Sequence, residues 1–468
     1  MVGCPAATHL YQTRACGQRQ ATAGLRKGVM TVSQSTAGLI KGVGIFATSL
    51  LVLAAAVTYL NVRGEDPIEP TESHSKAPST APVSAEQLAR GRYLTQLGNC
   101  AGCHTCQGGA PLAGGRGLTT PFGTVYTSNL TPDPDTGLGR WSAAEFWRAM
   151  HHGRSKDGRL LMPAFPYASY THVTREDANA IYAYLQSLPP VVQAPQTHAL
   201  RFPYNTQAAL AVWRALYFRP ASPDVLADST RTPEWNRGAY LARGLGHCTE
   251  CHSPRNAWGA ISSNLELTGG RLSGQGWYAP SLLSAQEAGV ARWHPEEVVQ
   301  LLKTGRTVNA SVQGPMAEVV YASTQYWTDG DLLALTSFLQ ALPEIPVKQS
   351  PKAEPLAIRA QAQVAALYDK HCAQCHGPQG QGAVGVYPAL AGNRAVTMAH
   401  SDNLIAIVRA GGFAPATHGN PQPYGMPPFS HVLTNADIAA VVSYIRNSWG
   451  NRAAIVTELE VLRLQGSE

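Results

Sequence analysis

Charge is scarce in this chain: Asp, Glu, Lys and Arg make up 14% of 468 residues, against 44% hydrophobic. A disordered protein would show the opposite balance, so the chain folds, and at roughly 150 residues per domain it is long enough for about three cores. Acidic side chains are missing altogether from residues 1–63, which hold Arg14, Arg19, Arg26, Lys27, Lys41 and Arg63. Those six account for the whole net charge of +6, leaving 30 basic and 30 acidic residues in the rest. A folded part with no basic surplus lacks the counter-charge for a phosphate backbone, which excludes nucleic acid as a partner. Residues 85–450 also lack a Gly-rich nucleotide loop and a nucleophile-elbow run, an absence that fits a non-enzymatic role.

Cysteine is sparse but patterned. Six of the nine fall into three copies of one motif: Cys100-Ala-Gly-Cys103-His104, Cys248-Thr-Glu-Cys251-His252 and Cys372-Ala-Gln-Cys375-His376. A Cys-x-x-Cys-His run reads as a c-type haem attachment site, because two thiols add across the haem vinyl groups and the adjacent His becomes the proximal iron ligand. A lone Cys-x-x-Cys also suits zinc or a thioredoxin-like redox pair. Zinc needs two such pairs brought together, whereas these copies lie 148 and 124 residues apart, each in a similar frame. The sequence therefore predicts three covalently bound haem c groups. Of the remaining cysteines, Cys4 and Cys16 precede an apolar segment and receive no role. Cys106 reads as a buried or spare thiol, with a redox role left open.

The frame around the motifs is itself repeated. Before each motif stands an aromatic residue, Tyr93, Tyr240 or Tyr368; after each comes a predicted helix with a Thr-x-x-Asp start at Thr174, Thr328 or Thr434. Ten residues beyond each Thr is a second aromatic, Tyr184, Phe338 or Tyr444, and apolar residues recur at helical spacing, as in Ile438, Val441, Val442 and Ile445. Two helices crossing through aromatics, with the haem motif at the end of the first, is the plan of class I cytochrome c. The expected fold is all-α: three tandem class I cytochrome c domains at 85–190, 231–345 and 361–450, behind an N-terminal transmembrane helix. A segment at 191–230 connects the first two domains and contains an apolar helix from Phe202 to Phe218, suited to packing either between domains or against a partner. Residues 346–360 form a Pro-marked linker and 451–468 a C-terminal tail.

With only seven methionines, the search for sulfur ligands is short. Met162 and Met316 each lie 12 residues before the helix-start Thr, with Tyr167-Ala-Ser169 and Tyr321-Ala-Ser323 at matching offsets. Met426 lies 8 before Thr434, in Tyr424-Gly-Met-Pro-Pro. These three are the candidate distal ligands, giving His–Met iron at each site. Met150, His151 and His152 compete in the first domain, and Met398 and His400 in the third; His151-His152 reads ordinarily as a surface-exposed pair. Pro280-Ser-Leu282 and Pro388-Ala-Leu390 have the form that offers a carbonyl to the free ring N–H of the proximal His, with Ser128-Asn-Leu130 as a partial match. Arg154 and Arg306 suit either haem propionates or solvated loops. Thr131-Pro-Asp133-Pro-Asp135 reads as a turn, with calcium binding as the weaker alternative.

Gly42 to Leu60 is a 19-residue run without charge, long enough to cross a bilayer. Basic residues precede it and Glu65, Asp66 and Glu69 follow it, so the positive-inside rule leaves residues 1–41 in the cytoplasm and exports the remainder. Covalent haem attachment in bacteria takes place on that outer side. A cleaved signal peptide ending near Ala54-Ala-Ala56, and a true start at Met30, are the rival readings. Residues 61–84, rich in Pro, Ser, Thr and Glu from residue 64 on, read as a linker and flexible tether.

Three haem motifs, the repeated frame and the closing run Val442-Ser-Tyr-Ile-Arg-Asn-Ser-Trp-Gly450 make the chain resemble the triheme cytochrome c subunits of membrane-bound alcohol, gluconate or sorbitol, and aldehyde dehydrogenases of acetic acid bacteria. The resemblance covers about residues 85–450. It implies haem roles for the nine Cys and His residues and axial roles for Met316 and Met426. Where the alcohol dehydrogenase cytochrome has Pro-Ala-Met-Pro-Tyr, this chain has Pro163-Ala-Phe165-Pro-Tyr, so Met162 must serve at the first haem. That departure, the anchor and the Phe202-Pro-Tyr-Asn205 segment favour a molybdopterin aldehyde dehydrogenase partner, with a quinoprotein alcohol dehydrogenase next. The implied role is a one-electron relay from that subunit to ubiquinone at the periplasmic face of the inner membrane. A multihaem peroxidase-type or nitrite-reducing enzyme, with an open sixth position at the first iron, and a free-standing periplasmic carrier to an oxidase are the alternatives.

Overall fold

The structure, a computed structural model, describes residues 35–65, 67–68, 83–222, 227–272, 274–308, 310–346 and 358–465. Cys4, Cys16, the start at Met30, most of the tether and most of the 346–360 linker lie outside the described residues. The first helix, α1 (Ser35–Val62), carries the apolar run, and its stretch Gly42–Val62 is long and apolar enough to span a bilayer. Ile45, Phe46, Leu51 and Val52 along it are exposed. Residues up to Ala56 form one unit and Val57–Glu468 a second.

The second unit is built on three helix pairs. In the first, α2 (Ala85–Leu97) leads into the motif turn α3 (Cys100–His104), then α4 (Ala143–His152), the short α5 (Tyr167–Tyr170) and α6 (Arg175–Gln186), which packs back on α2. After α7 (Gln207–Tyr217), the same order recurs as α8 (Pro233–Arg243), motif turn α9 (Thr249–His252), α10 (Pro295–Thr304), α11 (Pro315–Ala322) and α12 (Asp329–Gln340), with α12 on α8. The third copy is α13 (Ile358–His371), motif turn α14 (Ala373–His376), α15 (Arg394–Thr397), α16 (Asp402–Ala410) and α17 (Asn435–Arg446), with α17 on α13 and a last helix, α18 (Glu458–Gln465), packed on α17.

The returning helices begin where the Thr-x-x-Asp pattern places them: Thr174, Thr328 and Thr434 accept from the N–H of Asp177, Asp331 and Asp437. The reciprocal half of the capping box, a carboxylate accepting from the Thr N–H, closes at Thr434. At the first two starts the carboxylates are drawn elsewhere, as described below. Glycine permits the first two crossings, because a Cβ at Gly91 would collide with the Ala180 carbonyl and one at Gly238 with the Ala334 carbonyl. Leu94, Leu97, Ile181 and Leu185 of the first pair join Leu241, Leu332 and Phe338 of the second in one continuous apolar cluster. The third pair has its own, around Val364, Tyr368, Ile438, Val442 and Val461.

The all-α expectation is corrected in one respect, since short antiparallel strands decorate a mostly helical chain. β1 (Gly117–Thr120) pairs with β2 (Gly123–Tyr126), which pairs with β3 (Ala199–Leu200); β4 (Gly270–Leu272) pairs with β5 (Trp277–Ala279), and β6 (Gly412–Phe413) with β7 (Gly425–Met426). The β1–β2 hairpin closes through Pro121-Phe122, and its Thr and Val residues suit a pleated, half-buried surface. The tether expectation changes at its start as well. The helix runs on to Val62, and Glu65 is ion-paired to Arg154 at 2.9 Å.

Candidate haem sites

Each Cys-x-x-Cys-His run forms about one helical turn, entered in the first two copies through a left-handed residue, Asn99 (φ 50°) or His247 (φ 36°). The turn brings two thiols and an imidazole to one end of the preceding helix. His104 Nδ1 lies 2.7 Å from the Ser128 carbonyl oxygen, His252 Nδ1 2.7 Å from that of Pro280, and His376 Nδ1 3.0 Å from that of Pro388. The carbonyls are those anticipated, the partial match at Ser128 included. A carbonyl can only accept, so each Nδ1 carries the proton and each Nε2 keeps its lone pair for a metal. Burial holds all three rings below the usual histidine range, opposed by those same bonds.

All described cysteines are free thiols. Burial, reinforced by the neighbouring Cys103 and Cys251 respectively, pushes Cys100 and Cys248 up to about 12; burial and Cys375 push Cys372 up to about 11. Paired free thiols beside an oriented imidazole form the donor set that covalent haem c requires, so the residues fit the group. Cys106 is exposed, which removes the buried-thiol reading and leaves the spare-thiol and redox readings.

The first two motif turns are clasped by each other's distal segments, a relation the sequence does not disclose. α11 packs on α3, and its Glu318 pairs with Arg116, whose guanidinium also donates to the Gly102 carbonyl. Ser323 Oγ donates to Leu97 O at 3.0 Å. In the mirrored contact, Ser169 Oγ donates to Glu250 Oε1 at 2.9 Å and lies 3.5 Å from Thr249 Oγ1. The helix starts cross in the same way. Tyr93 donates to Asp331 at 2.7 Å and Tyr240 to Asp177 at 2.5 Å, while Arg237 and Arg90 hold those carboxylates from within their own pairs. Cys251 is pushed up to about 11 by burial, then by Glu250, and Cys103 adds to the rise, so the two attachment turns lie within electrostatic reach.

The third copy docks on the second by backbone recognition. Asn403 accepts from Tyr278 N–H at 2.8 Å and donates to its carbonyl at 2.7 Å; Arg271 pairs with Asp402 at 2.9 Å; Arg394 donates to the carbonyls of Ala285 and Gly289.

Among the distal candidates, Met162 is half-buried in the loop after α4, and its carbonyl accepts from Phe165 N–H at 3.0 Å. Met316, the second residue of α11, packs like Leu301 against the small cluster of Val312, Ala317 and Val320. Met426, on β7, packs against the apolar cluster that Cys372 also borders. The competitors have other positions. Met150 lies inside the first core, Met398 is buried, and the His400 ring lies 4.0 Å from that of Tyr278. The surface reading of His151-His152 is wrong: both are buried, at the C-terminal end of α4, and His151 stacks on Trp147 with ring centroids 4.4 Å apart. Burial, then His152, pushes His151 down to about 4. Arg154 is no solvated loop residue. Nε donates to Glu65, Nη1 to Gly158 O and Nη2 to Asn61 O, which engages the whole guanidinium. Arg306 donates to Gly385 O in the third copy. The Asp133 run is a turn, with Oδ1 accepting from Asp135 N, Thr136 N and Thr136 Oγ1.

A family model described as Cytochrome c matches residues 88–189 and 361–449. The chain is 38% identical over 402 residues to the alcohol dehydrogenase (quinone) cytochrome c subunit of Gluconacetobacter polyoxogenes, covering 82% of this chain and 86% of that one. It is 35% identical over 400 residues to the gluconate 2-dehydrogenase cytochrome c subunit of Pantoea cypripedii, covering 81% and 90%. A nicotinate dehydrogenase subunit of Pseudomonas putida is 38% identical over 421 residues, and this chain spans 33% of its length. Carrying haem-type motifs on a helical frame, and similar to such subunits along most of its length, the chain belongs to the cytochrome c subunits of dehydrogenase complexes.

Proposed function

We propose that this chain binds three haem c groups and relays electrons, one at a time, from a catalytic dehydrogenase subunit to ubiquinone at the periplasmic face of the inner membrane. Cys100 and Cys103, Cys248 and Cys251, and Cys372 and Cys375 hold the three groups, with His104, His252 and His376 as proximal ligands and Met162, Met316 and Met426 as distal ones. Bound haem c supplies a one-electron iron couple, and the polypeptide sets its potential and spacing. The Ser128, Pro280 and Pro388 carbonyls orient the three imidazoles.

The observation that carries the reading is the reciprocal clasp of α3 and α9, since a relay needs its attachment points held close and rigid. The Tyr93–Asp331 and Tyr240–Asp177 bonds and the shared core supply that rigidity. The third site is joined to the second through Asn403 and Arg271, which supports a continuous path. Similarity to the alcohol dehydrogenase (quinone) cytochrome c subunit, and at the same identity to a nicotinate dehydrogenase subunit, supports a catalytic dehydrogenase partner, with the molybdopterin aldehyde dehydrogenase and the quinoprotein alcohol dehydrogenase as the two candidates.

The test is a haem count with spin states on the full-length protein. Three haems per chain by pyridine adduct are expected, all low-spin in low-temperature EPR, and Met162→Ala should turn one of them high-spin. Fewer than three haems refutes the proposal. A high-spin haem in the unaltered protein transfers the case to the haem-enzyme alternative.

A further inference from the structure

The helix α7 belongs to no haem frame, yet it is firmly held. Gln207 exchanges both hydrogen bonds with the backbone of Leu160, and Trp213 Nε1 donates to Trp258 O at 2.9 Å. Arg214, buried between the Tyr167 and Phe218 rings, donates to His152 O at 2.6 Å and to Asn61 Oδ1 at 3.0 Å. Asn61 returns a bond from Nδ2 to Ala211 O at 2.9 Å. Asn61 stands in the last turn of α1, so α7 is fastened to the end of the helix that carries the apolar run. Glu65, three residues past that end, is held by Arg154.

The two sides of α7 differ sharply. Leu210, Arg214 and Ala215 are buried. Ala208, Val212 and Leu216, spaced by four residues, face solvent, and Tyr217 extends the stripe; Val212 is 48% and Leu216 63% exposed. Phe202, just before the helix, is 81% exposed, and Trp258, tethered to Trp213, is 57% exposed. Exposed arginines stand next to these segments in the chain: Arg63 one residue past α1, Arg201 beside Phe202 with its guanidinium donating to Pro121 O, and Arg219 two residues past Tyr217 donating to the Ala215 and Phe218 carbonyls.

We infer that α7, with Phe202 and Trp258, is an interfacial membrane helix that lies in the headgroup region of an anionic bilayer. Aliphatic and aromatic side chains on one face with cations at the edges are what that boundary selects. The bond network decides the occupant. If α1 crosses the membrane, its last turn ends at the surface, and the Asn61 and Arg214 bonds hold α7 at that same level. The stripe then has lipid within reach whether or not a protein partner is present. The inference rests on the reading of α1 as a membrane-spanning anchor.

The experiment uses the full-length haem-loaded protein in nanodiscs of phosphatidylglycerol and a phosphatidylcholine bearing a diazirine on its acyl chain. After irradiation, adducts are mapped by mass spectrometry. Adducts are expected on 42–62, on 202–218 and on the Trp258 peptide. Val212→Glu with Leu216→Glu should lower labelling of 202–218 by about tenfold, with labelling of 42–62 and the haem spectrum unchanged. Adducts confined to 42–62 overturn the inference and leave the anchor standing. Adducts nowhere overturn the anchor and the inference together. Protection of 207–217 from solvent exchange only when a dehydrogenase subunit or a second copy is added, without adducts, assigns the stripe to that partner and overturns the inference too.

Discussion

Asp331 stands at the third position of α12, where its N–H donates to the Thr328 side chain, while its carboxylate accepts from Arg237 Nε and Nη2 at 2.8 Å each and from the Tyr93 hydroxyl at 2.7 Å. Burial pushes this carboxyl up, but the Arg237 and Tyr93 bonds outweigh it and hold the group below the usual carboxylate range. The folded chain therefore gives up this proton at a lower pH than the unfolded one. The resulting stability is complete above the unfolded value, about pH 4, and is lost as pH falls through the lower folded value. Asp331→Asn should cost about 1–3 kcal/mol at neutral pH, less than a fully buried pair because Arg237 is partly exposed. As pH falls from about 4 through the lower folded value, mutant and parent should converge. Thermal melts at the two pH values check this, and an equal gap at both would assign the loss to packing alone.

At the scale of elements, the crossings show what the repeat does and does not reveal. The helix starts could be read directly, because Thr three residues before Asp is a local signal and the hydrogen bond it makes is local. The aromatics could not. Tyr368 lies tilted against Tyr444 and Trp449 in its own core, with ring centroids 5.7 and 4.9 Å apart, as the crossing-helix plan expects. Tyr93 and Tyr240 hydrogen-bond across to the opposite helix starts. The sequence does hold a signal for this: Tyr368 stands four residues before the first motif cysteine, whereas Tyr93 stands seven before and Tyr240 eight before. In the first two pairs, glycine takes over the close approach. Gly238 meets Ala334 O and the Phe338 side chain, leaving no space for a methyl group. Gly238→Ala should destabilise by about 1–3 kcal/mol or more through forced separation of α8 and α12, whereas Ala366→Gly, at an exposed position of α13, should cost about 1 kcal/mol at most, from helix propensity alone. Denaturant melts of the two variants compare them directly, and similar losses would show that the glycine contact does not set the crossing.

For the whole molecule, the motif count and the core count differ. Three copies of one frame suggest three independent bodies, and each frame has its own helix pair and its own oriented histidine. The side chains that decide independence lie on helix faces whose partners are remote in sequence. Leu97, at the end of α2, and Leu245, in the turn after α8, share a cluster although 148 residues separate them, and no local periodicity announces it. The third pair is joined to the second by Asn403, Arg271 and Arg394, which are polar contacts, while its apolar cluster is closed separately by Val456 and Val461. Burial of shared apolar surface couples unfolding far more strongly than exposed ion pairs do. The haem-loaded protein should therefore melt in two calorimetric transitions. Leu94→Ala in the first pair and Leu332→Ala in the second, each about 2–5 kcal/mol, should lower the same transition, and Val442→Ala in the third pair should lower only the other. If Leu94→Ala and Leu332→Ala move different transitions, the continuous cluster is not a cooperative core, and the clasp around Cys103 and Cys251 must be held by its hydrogen bonds alone.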